Sequence, residues 1–523
     1  MKHMKKFVGV LLAMIMALAM TMTAFAATVT VPSDGILKDH TFTAYQVLSG
    51  REEGGVLSDV KWGSGINSDA FLAALKADTT YGSLFTDCTD AAAVAKVLGG
   101  NNTNTALANA VAKLAYANKT GTGTALTSGE NTLDNGYYLV VDTTADVGEG
   151  GAYNASLLQV VGNINITVKT DAPTVEKKVL EDDKYKQDDG YGTGYNDVAD
   201  YNMGDAVPFH LIGSVPDMSR YDTYKYIFHD TLSDGLTLNE DSIKVYVASN
   251  KAGTDKAEIS EWTKAVNGQF FTVSFTDLKT VSSVSQGKYI IVEYTAILNQ
   301  DAVVGLDGNP NVVYLEYSNK PDQSGSGDTD NTGNTPEDKV IVFTYELDTT
   351  KVDGQDNTKK LEGAEFKLHN ADNKWAIVDS NNKVTGWSDT EAGGSTLISG
   401  ANGLFKVIGL DDGTYYLKET KAPTGYNLLS GEITVVITAT TTNGQTWTDG
   451  VASSALTKLE VTADGKAGTG DTSTGVAGIT VANNKGSTLP ETGGMGTTIF
   501  YVLGTILVLG AAIMLITKRR MNK

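Results

Sequence analysis

Apolar and polar residues alternate with a period of two over much of the chain. Clear runs are Val175-Glu-Lys-Lys-Val179, Ile243-Lys-Val-Tyr-Val247, Tyr289-Ile-Ile-Val-Glu-Tyr294 and Val312-Val-Tyr-Leu-Glu-Tyr317. Such alternation turns one face of a strand toward a core and the other toward water, which is the habit of antiparallel sheets. Shorter strand-like runs cover 40–48 and 136–142. Residues 69–77, 90–98 and 105–117 depart from this: they are Ala- and Leu-rich with apolar i, i+3, i+4 spacing, and predict helices. The pattern therefore predicts an all-β, multidomain chain of tandem immunoglobulin-like sandwiches, the first with short helices inserted.

Three modules follow from this pass. The first spans 27–171, the second 172–345 and the third 346–488. The Gly/Ser/Asp-rich stretch 321–338 reads as a long loop or flexible link. Residues 489–523 form a separate tail.

The two ends break the alternation. Lys2, Lys5 and Lys6 precede an apolar core at 7–20 and the small-x-small triplet Ala24-Phe25-Ala26, so 1–26 reads as a secretory signal peptide cut after Ala26. At the other end, residues 499–516 carry no charge and are long enough to reach across a bilayer. Lys518, Arg519, Arg520 and Lys523 then form a basic tail that stays cytoplasmic by the positive-inside rule.

Composition narrows the function. Lys+Arg total 41 against 62 Asp+Glu, for a net charge of −21. Removing both ends takes away seven positive charges and leaves about −28. Such a surface does not suit nucleic acid. One cysteine, Cys88, and five histidines exclude disulfide frameworks and Cys-ligated metal sites, and no cofactor is expected. No nucleophile–His–acid grouping or paired glycosidase carboxylates stand out, so the chain is not expected to be an enzyme.

The third module carries a different chemistry. Counting by twos from Leu347 through Thr349 turns Lys351 inward. Glu419 lies two steps from Leu417, and Asn483 is in phase with Ile479 and Val481. A buried lysine loses its charge readily, and a buried carboxyl holds its proton. A neutral amine can then attack the asparagine carboxamide while the acid shuttles protons, giving an amide and ammonia. Periodicity alone leaves open a plain buried Lys–Glu ion pair. In the second module Lys177, rather than Lys178, is in phase with Val175 and Val179.

These segments resemble a known family. Leu489-Pro490-Glu491-Thr492-Gly493, set before an apolar span and basic tail, resembles a sortase sorting signal of Gram-positive bacteria, which implies cleavage between Thr492 and Gly493. Lys351-Val-Asp, Leu361-x-Gly-Ala-x-Phe, Tyr416-Leu-x-Glu419-x-x-Ala-Pro-x-Gly-Tyr426 and Val481-x-Asn483 resemble a CnaB-type isopeptide domain of sortase-assembled pilins. The resemblance implies a Lys351–Asn483 bond with Glu419 as catalytic acid, and Asn484 is the fallback partner. The segment 226–237 resembles the part of a CnaA-type pilin domain that carries the catalytic Asp. This implies Asp230 in that role and a Lys177–Asn319 bond. In the first module Tyr137-Tyr138-Leu139 resembles the lead-in to the family's glutamate, but Val141 fills that position, so no bond is expected there.

The whole resembles a sortase-assembled major (backbone) pilin subunit. That implies a head-to-tail polymer in which the Thr492 carboxyl is joined to a lysine of the next subunit. The family's Tyr-Pro-Lys-Asn setting for that lysine is missing here. Lys169 is nearest by position, with Lys178 as runner-up. The implied partners are a sortase, identical subunits, accessory pilins, peptidoglycan, and host or other surface ligands. A wall-anchored adhesin, alone or at a pilus tip, is the alternative; such proteins usually carry an extra large ligand-binding domain.

Overall fold

The computed structural model describes residues 27–53, 56–160, 164–167, 171–322, 332–442, 455–486 and 495–521. The first domain centres on the long strand Phe42–Glu53. It pairs with Val56–Trp62 on one side and Gly136–Asp142 on the other, and the latter continues to Leu157–Val160. Four helices, Ser68–Ala77, Gly82–Phe85, Ala91–Gly100 and Thr105–Ala117, cover one face. Asn67, Asp90 and Asn104 cap three of them by accepting a backbone N–H three residues on. Phe71, Leu75, Val94, Leu107 and Val111 pack against Leu139 and Val141 of the sheet. A small second sheet joins Ala27–Val31 to Gly129–Leu133 and Ile164–Asn165.

The middle domain is a sandwich of two sheets. One holds Val175–Leu180, Ala206–Ser214, Tyr289–Leu298 and Leu236–Ala248 in that spatial order, edged by two short strands. The other includes Val198–Asp200, Asp338–Phe343, Asn309–Ser318, Tyr226–Leu232 and Phe270–Phe275. In Asn309–Ser318 the inward residues Asn309, Asn311, Val313, Leu315 and Tyr317 are buried, one residue in two, and Ser318 at the strand's end is buried as well.

Only Thr344 separates the strand Asp338–Phe343 from the third domain's first strand, Tyr345–Asp353. That strand lies between Leu404–Leu410, antiparallel, and the last strand Val476–Asn483, parallel. The facing sheet is built on Glu365–Asn370, Gly413–Lys421, Ile433–Thr441 and Leu456–Ala463. One apolar core runs on from the middle domain into the third through Phe343, Tyr345 and Leu347. Beyond it, Met495–Met521 is a single helix, and its span Ile499–Met521 is long and apolar enough to cross a membrane.

Candidate functional site

In the third domain the parallel register sets Lys351 beside Val481 and Asp353 beside Asn483. Glu419 comes from the facing sheet, so the three polar side chains meet in the core. All are buried, at 0 % exposure for Lys351, 5 % for Glu419 and 1 % for Asn483. Lys351 Nζ donates to the Val481 carbonyl at 3.2 Å and stands 3.9 Å from Glu419 Oε1. Glu419 Oε2 accepts from Asn483 Nδ2 at 2.9 Å and from the Leu429 N–H at 2.8 Å. Glu419 Oε1 and Asn483 Oδ1 are buried without a hydrogen-bond partner. Burial lowers the Lys351 pKa to about 8 against the opposing pull of Glu419, so a minority of the amine is already neutral at physiological pH. Asn484, the fallback partner, is exposed.

The middle domain holds a second constellation, and here the structure departs from expectation. Lys177 and Asp230 are both fully buried and in direct contact, Nζ to Oδ2. Between them stands Tyr294, from the strand Tyr289–Leu298. Its hydroxyl accepts from Lys177 Nζ at 3.0 Å and from Asn311 Nδ2 at 2.8 Å, and donates to Asp230 at 3.1 Å. Asn311 Oδ1 is buried and unpartnered. Asn311, not Asn319, therefore faces Lys177. Asn319 follows the far end of the same strand, eight residues or ~26 Å along it at the usual strand rise. Its carbonyl there accepts from the Tyr153 N–H of the first domain. Both asparagines share the inward phase, so alternation alone could not separate them. The signal was a polar residue in an otherwise apolar inward row, Asn311 with Val313, Leu315 and Tyr317. Tyr294 gave no signal beyond its own inward phase.

Burial lowers Lys177 to about 8, with Asp230 opposing, and burial raises Asp230 although Lys177 pulls it down. Both shifts favour a neutral amine beside a protonated carboxyl. The aromatic rings of Phe209 and Tyr294 lie 5.7 and 5.6 Å from Lys177 Nζ and close the site to water.

Among the described residues, the first domain offers no counterpart. Val141 packs in the helix-covered core, and the buried carboxylate beside it, Asp142, is held by His40 Nδ1 at 2.6 Å and the Asn154 N–H at 2.7 Å. Among the described residues of this domain no lysine is buried. Lys178 is buried against Asp197, Nζ to Oδ1 2.5 Å, with Tyr191 over it. Burial lowers its pKa, but Asp197 and Asp338 outweigh that and hold it as an ammonium. Lys169 and Leu489, Pro490, Glu491, Thr492 and Gly493 lie outside the described residues.

Comparison with known proteins fits this geometry. A family model described as Gram-positive pilin backbone subunit 2, Cna-B-like domain, matches residues 203–321; one described as a prealbumin-like fold domain matches 345–451; and the LPXTG cell wall anchor motif matches 481–523. Residues 203–321 are thus similar to a domain of Gram-positive pilin backbone subunits, and the C-terminal segment carries the cell wall anchor motif. The model that matches 203–321 is described as Cna-B-like, where the sequence of the middle module resembles a CnaA-type domain. The trypsin-resistant surface T6 protein of Streptococcus pyogenes serotype M6 is 26% identical over 378 residues. That match covers 61% of this chain and 65% of the relative's length. The solved three-domain T6 backbone pilin of the same serotype is 19% identical, with a TM-score of 0.53 over 88% of this chain and 99% of that one, and so shares the fold. A group B streptococcus pilus 2b backbone protein aligns at 26% identity over 56% of this chain and 97% of its own, with a TM-score of 0.41.

Proposed function

We propose that this chain is the shaft subunit of a covalently polymerised cell-surface pilus, and that two internal Lys–Asn amides make each subunit a stiff unit. The observation that carries the reading is the pair of sealed Lys–acid–Asn sites in successive domains. In each, the lysine Nζ attacks the asparagine Cγ. The Nζ–Cγ bond forms, the Cγ–Nδ2 bond breaks and ammonia leaves, with Asp230 or Glu419 donating to the carboxamide and relaying the amine's proton. The partners are Lys177 with Asn311 and Lys351 with Asn483. Each reaction is intramolecular and happens once, so the acid residues assist folding chemistry and do not turn over an external substrate.

The bonds suit a load-bearing fibre. The Lys351–Asn483 amide staples the first and last strands of the third domain side by side. The Lys177–Asn311 amide ties one sheet of the middle domain to the other. Tension that enters at one terminus then passes through covalent bonds instead of unzipping strands. Assembly would be head-to-tail, with a sortase cutting after Thr492 and passing its carboxyl to Lys169 of the next subunit, and the base of the fibre joined to peptidoglycan. Heterologous contacts of this kind give an open-ended fibre.

Incubation of the chain with a pilus-type sortase gives a ladder of covalent multimers. Thr492→Ala and Lys169→Ala each abolish it, and Lys178→Ala leaves it in place. A ladder that survives Thr492→Ala contradicts this reading.

The chemistry also has a pH signature. The reactive form is the neutral amine, and burial has moved both lysines down from the ordinary lysine range to about 8. Below that value the neutral fraction falls about tenfold per pH unit. A chain refolded from denaturant loses ammonia about fiftyfold more slowly at pH 6 than at pH 8, and gains little above pH 9. A mass time course reads this directly, and a profile flat from pH 6 to 8 contradicts it.

A further inference from the structure

The junction of the middle and third domains gathers negative charge that neither amide site uses. Asp200 ends the strand Val198–Asp200. Asp411 and Asp412 form the turn between Leu404–Leu410 and Gly413–Lys421. One carboxylate oxygen from each lies within 4.8 Å of the others, and all three residues are more than nine-tenths buried. Asp200 Oδ2 and Asp412 Oδ1 have no hydrogen-bond partner.

A separate side chain points to a ligand here. Tyr345 is fully buried, its hydroxyl faces Asp200 without a well-formed hydrogen bond to it, and its other charged neighbours are Asp411 and Glu181. One cation of the protein is at hand. Lys184 reaches in from solvent with its side chain 40 % exposed, touching Asp412 and standing 3.5 Å from Asp200 Oδ2. A single ammonium leaves this buried acidic cluster short of positive charge, and burial together with Asp200 and Glu181 pushes Asp411 toward its protonated form.

We propose that Asp200, Asp411 and Asp412 bind a calcium-class divalent cation, with Tyr345 contributing a neutral oxygen directly or through a bound water, and that this cation clamps the middle domain to the third. The donor set is all oxygen and contains no His or Cys, which selects a hard cation over zinc or copper. Calcium tolerates the irregular arrangement that a turn and a strand end provide, whereas magnesium requires near-ideal octahedral geometry and gives up its water reluctantly. Lys184 occupies the mouth when the cation is absent and swings outward when it binds. Because the ligands come from two domains, cation binding stiffens the joint that the amides within each domain do not reach.

Tb3+ luminescence excited through tyrosine tests this on the chain from Ala27 to its C-terminus in detergent, with excess Mg2+ to suppress surface binding. Tyr345, Tyr201 and Tyr415 lie close enough to these carboxylates to sensitise the ion. One saturable equivalent is expected, displaced by Ca2+ at about 10⁻⁴–10⁻³ M, the range of extracellular calcium modules. Asp411→Asn and Asp412→Asn each weaken Ca2+ displacement at least tenfold. Lys184→Met, on the partly exposed side, binds more tightly because the competing ammonium is gone, and it serves if an Asn variant fails to fold. Absence of a saturable Tb3+ signal, or a signal untouched by the Asn variants, overturns the proposal, as does weaker binding by Lys184→Met.

Discussion

Replacing Asn311 by alanine abolishes the cross-link of the middle domain, and replacing Asn319 leaves it intact. Asn311 is held on the Tyr294 hydroxyl that also contacts Lys177 and Asp230, so its carboxamide is already beside the amine. Asn319 lies beyond the strand's far end, next to the first domain. The amide closes a loop of about 130 residues, worth ~5 kcal/mol by the chain-entropy account of cross-links. Its loss lowers the melting temperature of the middle domain by about 10–20 °C at the usual few degrees per kcal/mol for domains of this size. Asn311→Ala also leaves Lys177 and Asp230 as an unbonded buried pair, whose intact partnership limits further loss. Peptide mapping checks the assignment, since a branched peptide joins the Lys177 and Asn311 segments in the wild type and in Asn319→Ala. A branched peptide containing Asn319 contradicts the geometry described.

Glu419→Gln removes the third domain's cross-link while preserving its shape, and costs that domain as much as removing Lys351. The glutamine keeps an acceptor for Asn483 Nδ2 and the Leu429 N–H, so the local backbone is retained. What it lacks is an ionisable proton, and without one the carboxamide is not activated. The result expected is an unlinked third domain, less stable by ~5 kcal/mol on the same loop argument. Lys351→Met also forgoes the amide, without leaving an amine in the core. Because either change removes the same bond, the double variant loses little more than one single variant, a strong departure from additivity. Thermal melts of the three variants read this. Additive losses, or an amide still formed in Glu419→Gln, contradict the role given to Glu419.

The legible parts of this molecule were those that follow from period-two burial. Lys351, Glu419 and Asn483 lie on three different strands, yet each could be counted inward from an apolar neighbour, and they meet in one core. Three helices of the first domain were visible from their apolar spacing, whereas the four-residue helix Gly82–Phe85 is too short to show a period and was not. What failed was distance along a strand. Phase repeats every second residue, so Asn311 and Asn319 look alike to it, and only the three-dimensional register places Asp230 opposite Val313 and far from 319. The role of Tyr294 was hidden for the same reason, because an inward tyrosine is ordinarily core filling and its hydroxyl's partners come from distant strands. The Asp200–Asp411–Asp412 cluster joins positions two hundred residues apart that no local pattern links.

The intact mass of the chain from Ala27 onward, expressed without a sortase, tests the central claim most directly. Each amide releases one ammonia, about 17 Da by the stoichiometry of the reaction. The account predicts a deficit of two ammonias, ~34 Da, which falls to one in either Asn311→Ala or Glu419→Gln and to none in the double variant. A wild-type mass equal to that of the unmodified sequence would contradict it, leaving two buried Lys–acid pairs and no covalent strap in the shaft.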